Sequence, residues 1–137
     1  MNAIGLIKIL GEMGCRFKTS QFNDIIDYFA LMLDDERVIL ISKEGKLCAV
    51  LLFSITDDPE LHLKKESWEY REHDPQAKTA YIEKLISKSW NKDMRREFES
   101  ELIRKHPQIE RGLWHRYASW GDRQVTIKVR GGIHVRN

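Results

Sequence analysis

One stretch, Tyr81 to Arg116, constrains this chain more than any other, because the spacing of its apolar residues changes twice. Tyr81-Ile82-Glu83-Lys84-Leu85-Ile86 is short and apolar enough to lie inside a sheet. Trp90, Met94, Phe98 and Leu102 then recur every four residues, which is helical spacing. Asn91 offers a capping side chain and Asp93 a negative first turn, while Arg104, Lys105 and His106 set positive groups at the other end, as a helix dipole favours. Pro107 stops the helix, and Ile109 to Tyr117 resumes as a strand. A β-α-β unit over 81–117 with a parallel crossover is the economical reading.

The flanks add to the edges of that unit. Ile4, Ile7, Leu10 and Met13 predict a short helix interrupted by Gly11 and Gly14. A second helix is capped by Thr19 or Ser20, carries Phe22, Ile25, Ile26, Phe29 and Leu33 as one apolar stripe, and ends at Asp34-Asp35. Val38 to Ser42 and Leu47 to Thr56 flank Lys43-Glu44-Gly45-Lys46, a hairpin signal. The run Leu47 to Phe53 is apolar without alternation, so it belongs in the middle of a sheet, covered on both faces. A second hairpin joins Leu113–Ser119 to Arg123–Arg130 through Trp120-Gly121-Asp122. Gly131-Gly132 then releases a basic tail, 131–137, either a short edge strand or free. The expectation is one α/β domain over 1–137, a mixed sheet with helices on both faces, burying Val50, Leu52, Ile82, Leu85, Met94, Phe98 and Leu102.

At 137 residues the chain has room for one domain with a real core. No run approaches the roughly 20 apolar residues of a membrane helix. The start, Met1-Asn2-Ala3-Ile4-Gly5-Leu6-Ile7-Lys8, lacks a basic leader and holds a lysine within its apolar patch, which argues against a signal peptide. Cys15 and Cys48 lie far apart in apolar surroundings, as expected of reduced thiols in a cytoplasmic protein, and two cysteines at that spacing make no zinc pattern.

A net charge of +2 gives no global case for nucleic acid, but the charge is unevenly spread. Asp57 to Ala77 holds seven acids against three bases, and a segment so charged, broken by Pro59 and Pro75, offers little to bury. Were Glu60 to His73 one helix, His62, Glu66, Glu69 and His73 would share a face, the ligand set of a metal site. A single helix does not close a coordination shell, so a solvated face is the stronger reading and no metal is expected. Arg111, Trp114, Arg116, Trp120, Arg123, Lys128 and Arg130 interleave aromatics with bases, as single-stranded nucleic-acid surfaces do. Basic residues equally protect a sheet edge, and nucleic acid is disfavoured as a partner.

The element order of helix, helix, hairpin, charged excursion, strand, helix, strand, strand resembles the GNAT-type acyltransferase fold. The nearest variant is the compact one of toxin-activating lysine acyltransferases and uncharacterised phage-encoded proteins. The resemblance covers about Val38 to Arg130 and is carried by Tyr81 to Ile86, by Pro107-Gln108-Ile109 leading into Trp114-His115-Arg116, and by Gln124 to Val129. It implies a central, mostly antiparallel sheet and an acyl-CoA-dependent transferase acting on an amine of a protein or small molecule. A catalytically inactive interaction module of the same fold is the alternative. In such proteins the pyrophosphate of acyl-CoA lies at the start of the helix after the central strand, here Ser87, Lys88, Ser89, Asn91 and Lys92. The family's glycine-rich turn is missing there, and Ser89 and Asn91 are equally read as helix caps. For a base and a proton source, the resemblance points to Glu83, His115 and Tyr117. Pairing of Glu83 with Arg116 or Lys84 and a packing role for His115 and Tyr117 are the alternatives.

Overall fold

The computed structural model describes residues 1–58, 68–118 and 121–128. Helices α1 (Ala3–Glu12) and α2 (Phe22–Asp34) precede strands β1 (Val38–Lys43) and β2 (Lys46–Ile55). The central unit follows as β3 (Thr79–Ser87), α3 (Lys92–Lys105) and β4 (Arg111–Ala118), and β5 (Gly121–Lys128) comes last. Among the described residues these five strands form one sheet in chain order. Only β3 and β4 pair in parallel, from Thr79 opposite Arg111 to Ile82 opposite Trp114, and the other three pairs are antiparallel. The fold is therefore a mixed, mostly antiparallel sheet, with α3 as the crossover that two parallel neighbours require.

Alternation along the strands sorts the core onto two faces. Ile39, Ile41, Ala49, Leu51, Phe53, Ile55, Ala80 and Ile82 pack under Met94, Phe98 and Leu102 of α3. Val38, Val50 and Leu52 pack under Leu6, Ile7 and Leu10 of α1 and Ile25, Tyr28, Phe29 and Met32 of α2. Helices thus cover both faces, and β2 is buried without interruption from Ala49 to Ile55. The β1–β2 turn sets Glu44 at φ 54° and Gly45 at φ 78°, the pair of positive angles that fits a two-residue hairpin to twisted strands.

Both N-terminal helices end in the same way. The N–H of Cys15 reaches back to Leu10 O and that of Gly14 to Gly11 O, while Arg37 N–H bonds Met32 O and Glu36 N–H bonds Leu33 O. This double bond needs a left-handed residue just past the helix. Gly14 supplies it at φ 94°, but at the end of α2 a glutamate, Glu36, holds φ 56°.

Several expectations need correction. Leu85 is 36% exposed, because β3 there passes beyond its helical cover and the side chain lines a pocket. The buried arc of α2 is Ile25, Tyr28, Phe29 and Met32, a tighter stripe that leaves Phe22 exposed. Neither Thr19 nor Ser20 caps α2; both lie in a 3-10 turn, Thr19–Gln21, that feeds into it. Gly121 and Asp122 already belong to β5, opposite Ala118 and Tyr117, because the ladder begins earlier than the turn signal suggests. Residues 68–73 form no helix, so His62, Glu66, Glu69 and His73 have no common helical face; His62 and Glu66 themselves lie outside the described residues. The tail 131–137 and the residues Ser119 and Trp120 also lie outside them.

The acidic segment buries more than its composition suggests. Trp68 packs edge-on against Phe17 and Tyr28 and obliquely on Phe29, with ring centroids 5.7 Å away in each case. The ammonium of Lys84 sits 4.6 Å above its ring. Among the described residues no helix is long and apolar enough to cross a membrane.

Candidate functional site

Glu83 is where the sheet departs from regularity. Leu52 pairs with Lys84 and Phe53 with Ile82, so Glu83 is the extra residue of a β-bulge. It follows Ile82, which packs under α3, and its carboxylate points to the opposite face, the one covered by α2, where three side chains meet it. Tyr28 donates its hydroxyl to Oε1 at 3.0 Å, Arg37 donates Nη2 to Oε2 at 3.0 Å, and Ser54 donates to Oε2.

Arg37 is fully buried. The helix-ending motif of α2 delivers it there, since its own N–H closes that motif and the chain enters β1 at the next residue. Its five N–H donors have five acceptors. Besides Glu83 these are Phe53 O from Nε at 2.9 Å, Arg71 O and Asp35 Oδ2 from Nη1 at 2.7 and 3.3 Å, and Ser54 Oγ from Nη2. The guanidinium also lies 5.0 Å from the ring of Tyr70, whose hydroxyl bonds Asp35 at 3.0 Å. A connected network therefore runs from Tyr28 in the core through Glu83, Arg37 and Asp35 to the surface. Burial, and then the neighbouring Glu83 carboxylate, push the Tyr28 hydroxyl far above its ordinary range, so it serves as a permanent donor.

A second place lies at the far end of β3. A pocket of about 340 Å³ opens between the end of α1 and the strand, lined by Met13, Gly14, Cys15, Leu85, Ile86, Ser87 and Lys88. The C-terminal end of a strand, where the chain turns into a crossover helix, is a common position for ligands. Burial raises the Cys15 thiol above its usual range, which disfavours the thiolate. Gly14 keeps the wall low on one side; a β-carbon there would sit 3.5 Å from Lys88 Cε.

The anion-site residues divide accordingly. Ser87 and Lys88 line the pocket, but the Ser87 hydroxyl donates to Cys48 O at 3.0 Å and accepts from Ser89 N–H at 3.3 Å. Asn91 caps α3 by accepting the Met94 N–H at 3.0 Å. Lys88, Ser89 and Lys92 are exposed, and Trp90 folds back against the α3 core. The N–H groups of Lys92 and Asp93, at the first two positions of α3, have no acceptor within the helix, and the Asn91 cap takes the Met94 N–H instead.

Arg37 pairs with Glu83 at 3.0 Å, and the sequence reading, which offered Arg116 or Lys84, missed it together with Tyr28 and Ser54; the Arg116 side chain lies outside the described residues. The one available signal was an arginine opening the apolar run Val38 to Ile41 directly after three acids. His115 lies opposite Gln124 and Tyr117 opposite Asp122 in the β4–β5 ladder, and their side chains lie outside the described residues. The parallel ladder between β3 and β4 runs as far as Ile82 and Trp114, one residue short of Glu83 and His115 on their strands. Among the described residues no three His, Cys, Asp or Glu side chains cluster to hold a metal ion; His73 instead accepts the Ile55 N–H at Nδ1. Compared with known proteins, the chain matches no family model and no curated sequence.

Proposed function

We propose that this chain is a GNAT-like acyltransferase that takes an acyl group from acyl-CoA and passes it to an amine of a protein or small molecule. The observation that carries the reading is the junction of β3 and α3. One β-α-β crossover sets an apolar-walled pocket, two exposed lysines and the open amides of a helix start within a few residues of each other. An acyl thioester with a pyrophosphate tail is a ligand of that shape, with an uncharged reacting end and an anionic handle. Lys88 and Lys92 would hold the phosphates, and Leu85, Ile86 and Met13 would shelter the acyl end from water. We assign Glu83 a positioning role. Its carboxylate is occupied by three donors under the α2 face, so proton transfer from the amine falls to the β4 side chains or to solvent.

The thermal shift on adding acetyl-CoA tests this, because a ligand that binds only the native state raises its stability. Binding should weaken as salt rises. A Lys88→Glu, Lys92→Glu double variant should lose the shift while melting at the wild-type temperature, since both side chains are exposed. A shift of equal size in wild type and double variant would refute the site, and no shift at millimolar acetyl-CoA would favour the second reading. That second reading is a non-catalytic interaction module. Asn91 capping α3 and Trp90 packing against the core favour it, because both occupy ground that a bound pyrophosphate would use.

A further inference from the structure

Strand β1 begins at Val38, but its partner β2 continues beyond that pairing. The last bond on this edge of β2 within the hairpin is Phe53 N–H to Arg37 O, at 3.1 Å. Two residues on, Ile55 presents its N–H and C=O to the same edge with no strand left to meet them. The segment 68–74 supplies both partners. The Asp74 N–H donates to Ile55 O at 2.8 Å, and the Ile55 N–H donates to the imidazole of His73 at Nδ1, at 3.1 Å. A side chain therefore stands where a backbone carbonyl belongs, and unlike a carbonyl it can take up a proton.

Other contacts of this segment are also made by side chains or through Arg37. Tyr70 bonds Asp35, Arg71 O accepts from Arg37, and Trp68 lies in the cage of Phe17, Tyr28 and Phe29. The segment lies against the partners of Glu83, with Trp68 on Tyr28 and Arg71 O on Arg37. We propose that 68–74 is an acid-released strap, latched by His73 accepting the Ile55 N–H, whose release opens the Tyr28–Glu83–Arg37 cluster to solvent.

The direction follows from what surrounds the ring. Protonation at Nδ1 removes the acceptor and leaves two N–H donors facing each other. Burial resists the charge most, followed by the Arg37 guanidinium at the start of β1; His106 at the end of α3 adds to them. Asp35 at the end of α2, 3.6 Å from Nε2, and Asp74 on the strap itself pull the other way, and the balance leaves His73 below its ordinary value. A neutral ring with its proton on Nε2 satisfies both neighbours. The latch is thus complete above the ordinary histidine value and is lost as pH falls below it. If the freed ring titrates near 6.5, the open form gains about tenfold at pH 5.5. This inference stands apart from the acyl-transfer reading.

Amide hydrogen exchange on the full chain tests it, at pH 7.5 and 5.5 with exchange times scaled for the intrinsic pH dependence. Ile55 and residues 68–74 should lose about tenfold in protection at pH 5.5, while the amides of 49–53 and 80–86 hold theirs. In His73→Gln the side-chain oxygen accepts the same N–H without titrating, and protection should be equal at the two pH values. Unchanged protection of the wild-type strap would overturn the proposal, as would an acid loss of the same size in His73→Gln. Should that variant fail to fold, imidazole nitrogen NMR of wild type gives an independent reading. The ring must be neutral with Nε2 protonated, and the Ile55 amide shift must follow its titration; separate midpoints would overturn the latch.

Discussion

Arg37 shows how much one residue can organise here. Its guanidinium is sealed from water and every donor is used, so removing it takes the Arg37 cation from buried Glu83 and leaves Phe53 O and Arg71 O short of a donor. Breaking a buried pair from one side costs about 3–5 kcal/mol, whereas replacing both partners with apolar groups costs much less. Arg37→Met is expected to lower stability by about that amount in urea unfolding, and Arg37→Met with Glu83→Leu should recover a large part of it. Additive losses would mean that the two residues act independently. Glu36 makes the opposite case. It holds a left-handed angle that costs a side chain about 1 kcal/mol or more, at the position where α1 uses Gly14. Glu36→Gly is expected to raise the urea midpoint, and Gly14→Ala to lower it.

At the scale of elements, the features legible in the sequence were those set by periodicity and by local chemistry. Met94, Phe98 and Leu102 marked α3, although Trp90, read with them, lies before its cap; Asn91 caps it as expected, and the unbroken apolar run of β2 marked a strand covered on both faces. Phe98 is 3% exposed, and Phe98→Ala should cost about 3–5 kcal/mol; an unchanged melting curve would place this face of α3 in solvent. The cluster around Glu83 was not legible, for a physical reason. It joins residues from α2, the start of β1, β2, β3 and the strap, and its centre, Glu83, sits at a bulge in β3. Neither spacing nor propensity records such a bulge. Trp68 was missed similarly, because its neighbours in sequence are charged while its neighbours in space are aromatic.

For the molecule as a whole, α3 carries an unusual pH signature. Burial pushes the Glu99 carboxyl up to about 7, against the pull of Arg95 and Arg96. An unfolded glutamate releases its proton near 4.5, so between that pH and about 7 the unfolded chain ionises while the folded one holds its proton. This contribution to stability is complete below 4.5 and declines as pH rises towards 7. His73 acts in the reverse direction, favouring the closed fold above its ordinary value. Chemical denaturation between pH 4.5 and 8 should separate the two, with Glu99→Gln flattening the decline from the acid side. A Glu99→Gln profile parallel to wild type would show that this carboxyl does not carry the effect.

The strands lie side by side in the order in which the chain makes them, so no strand waits for a later one to be threaded between two neighbours. During synthesis the sheet can grow by accretion, each new strand docking on the edge left by the one before. Chains rich in such near-neighbour pairings fold quickly. The one slow step is then the joining of β4, which must await α3, because a parallel partner cannot be reached by a tight turn. Until that moment β3 is itself a bare edge, and the wait between Ser87 and Arg111 is the interval in which the nascent chain is most open to pairing with a neighbour.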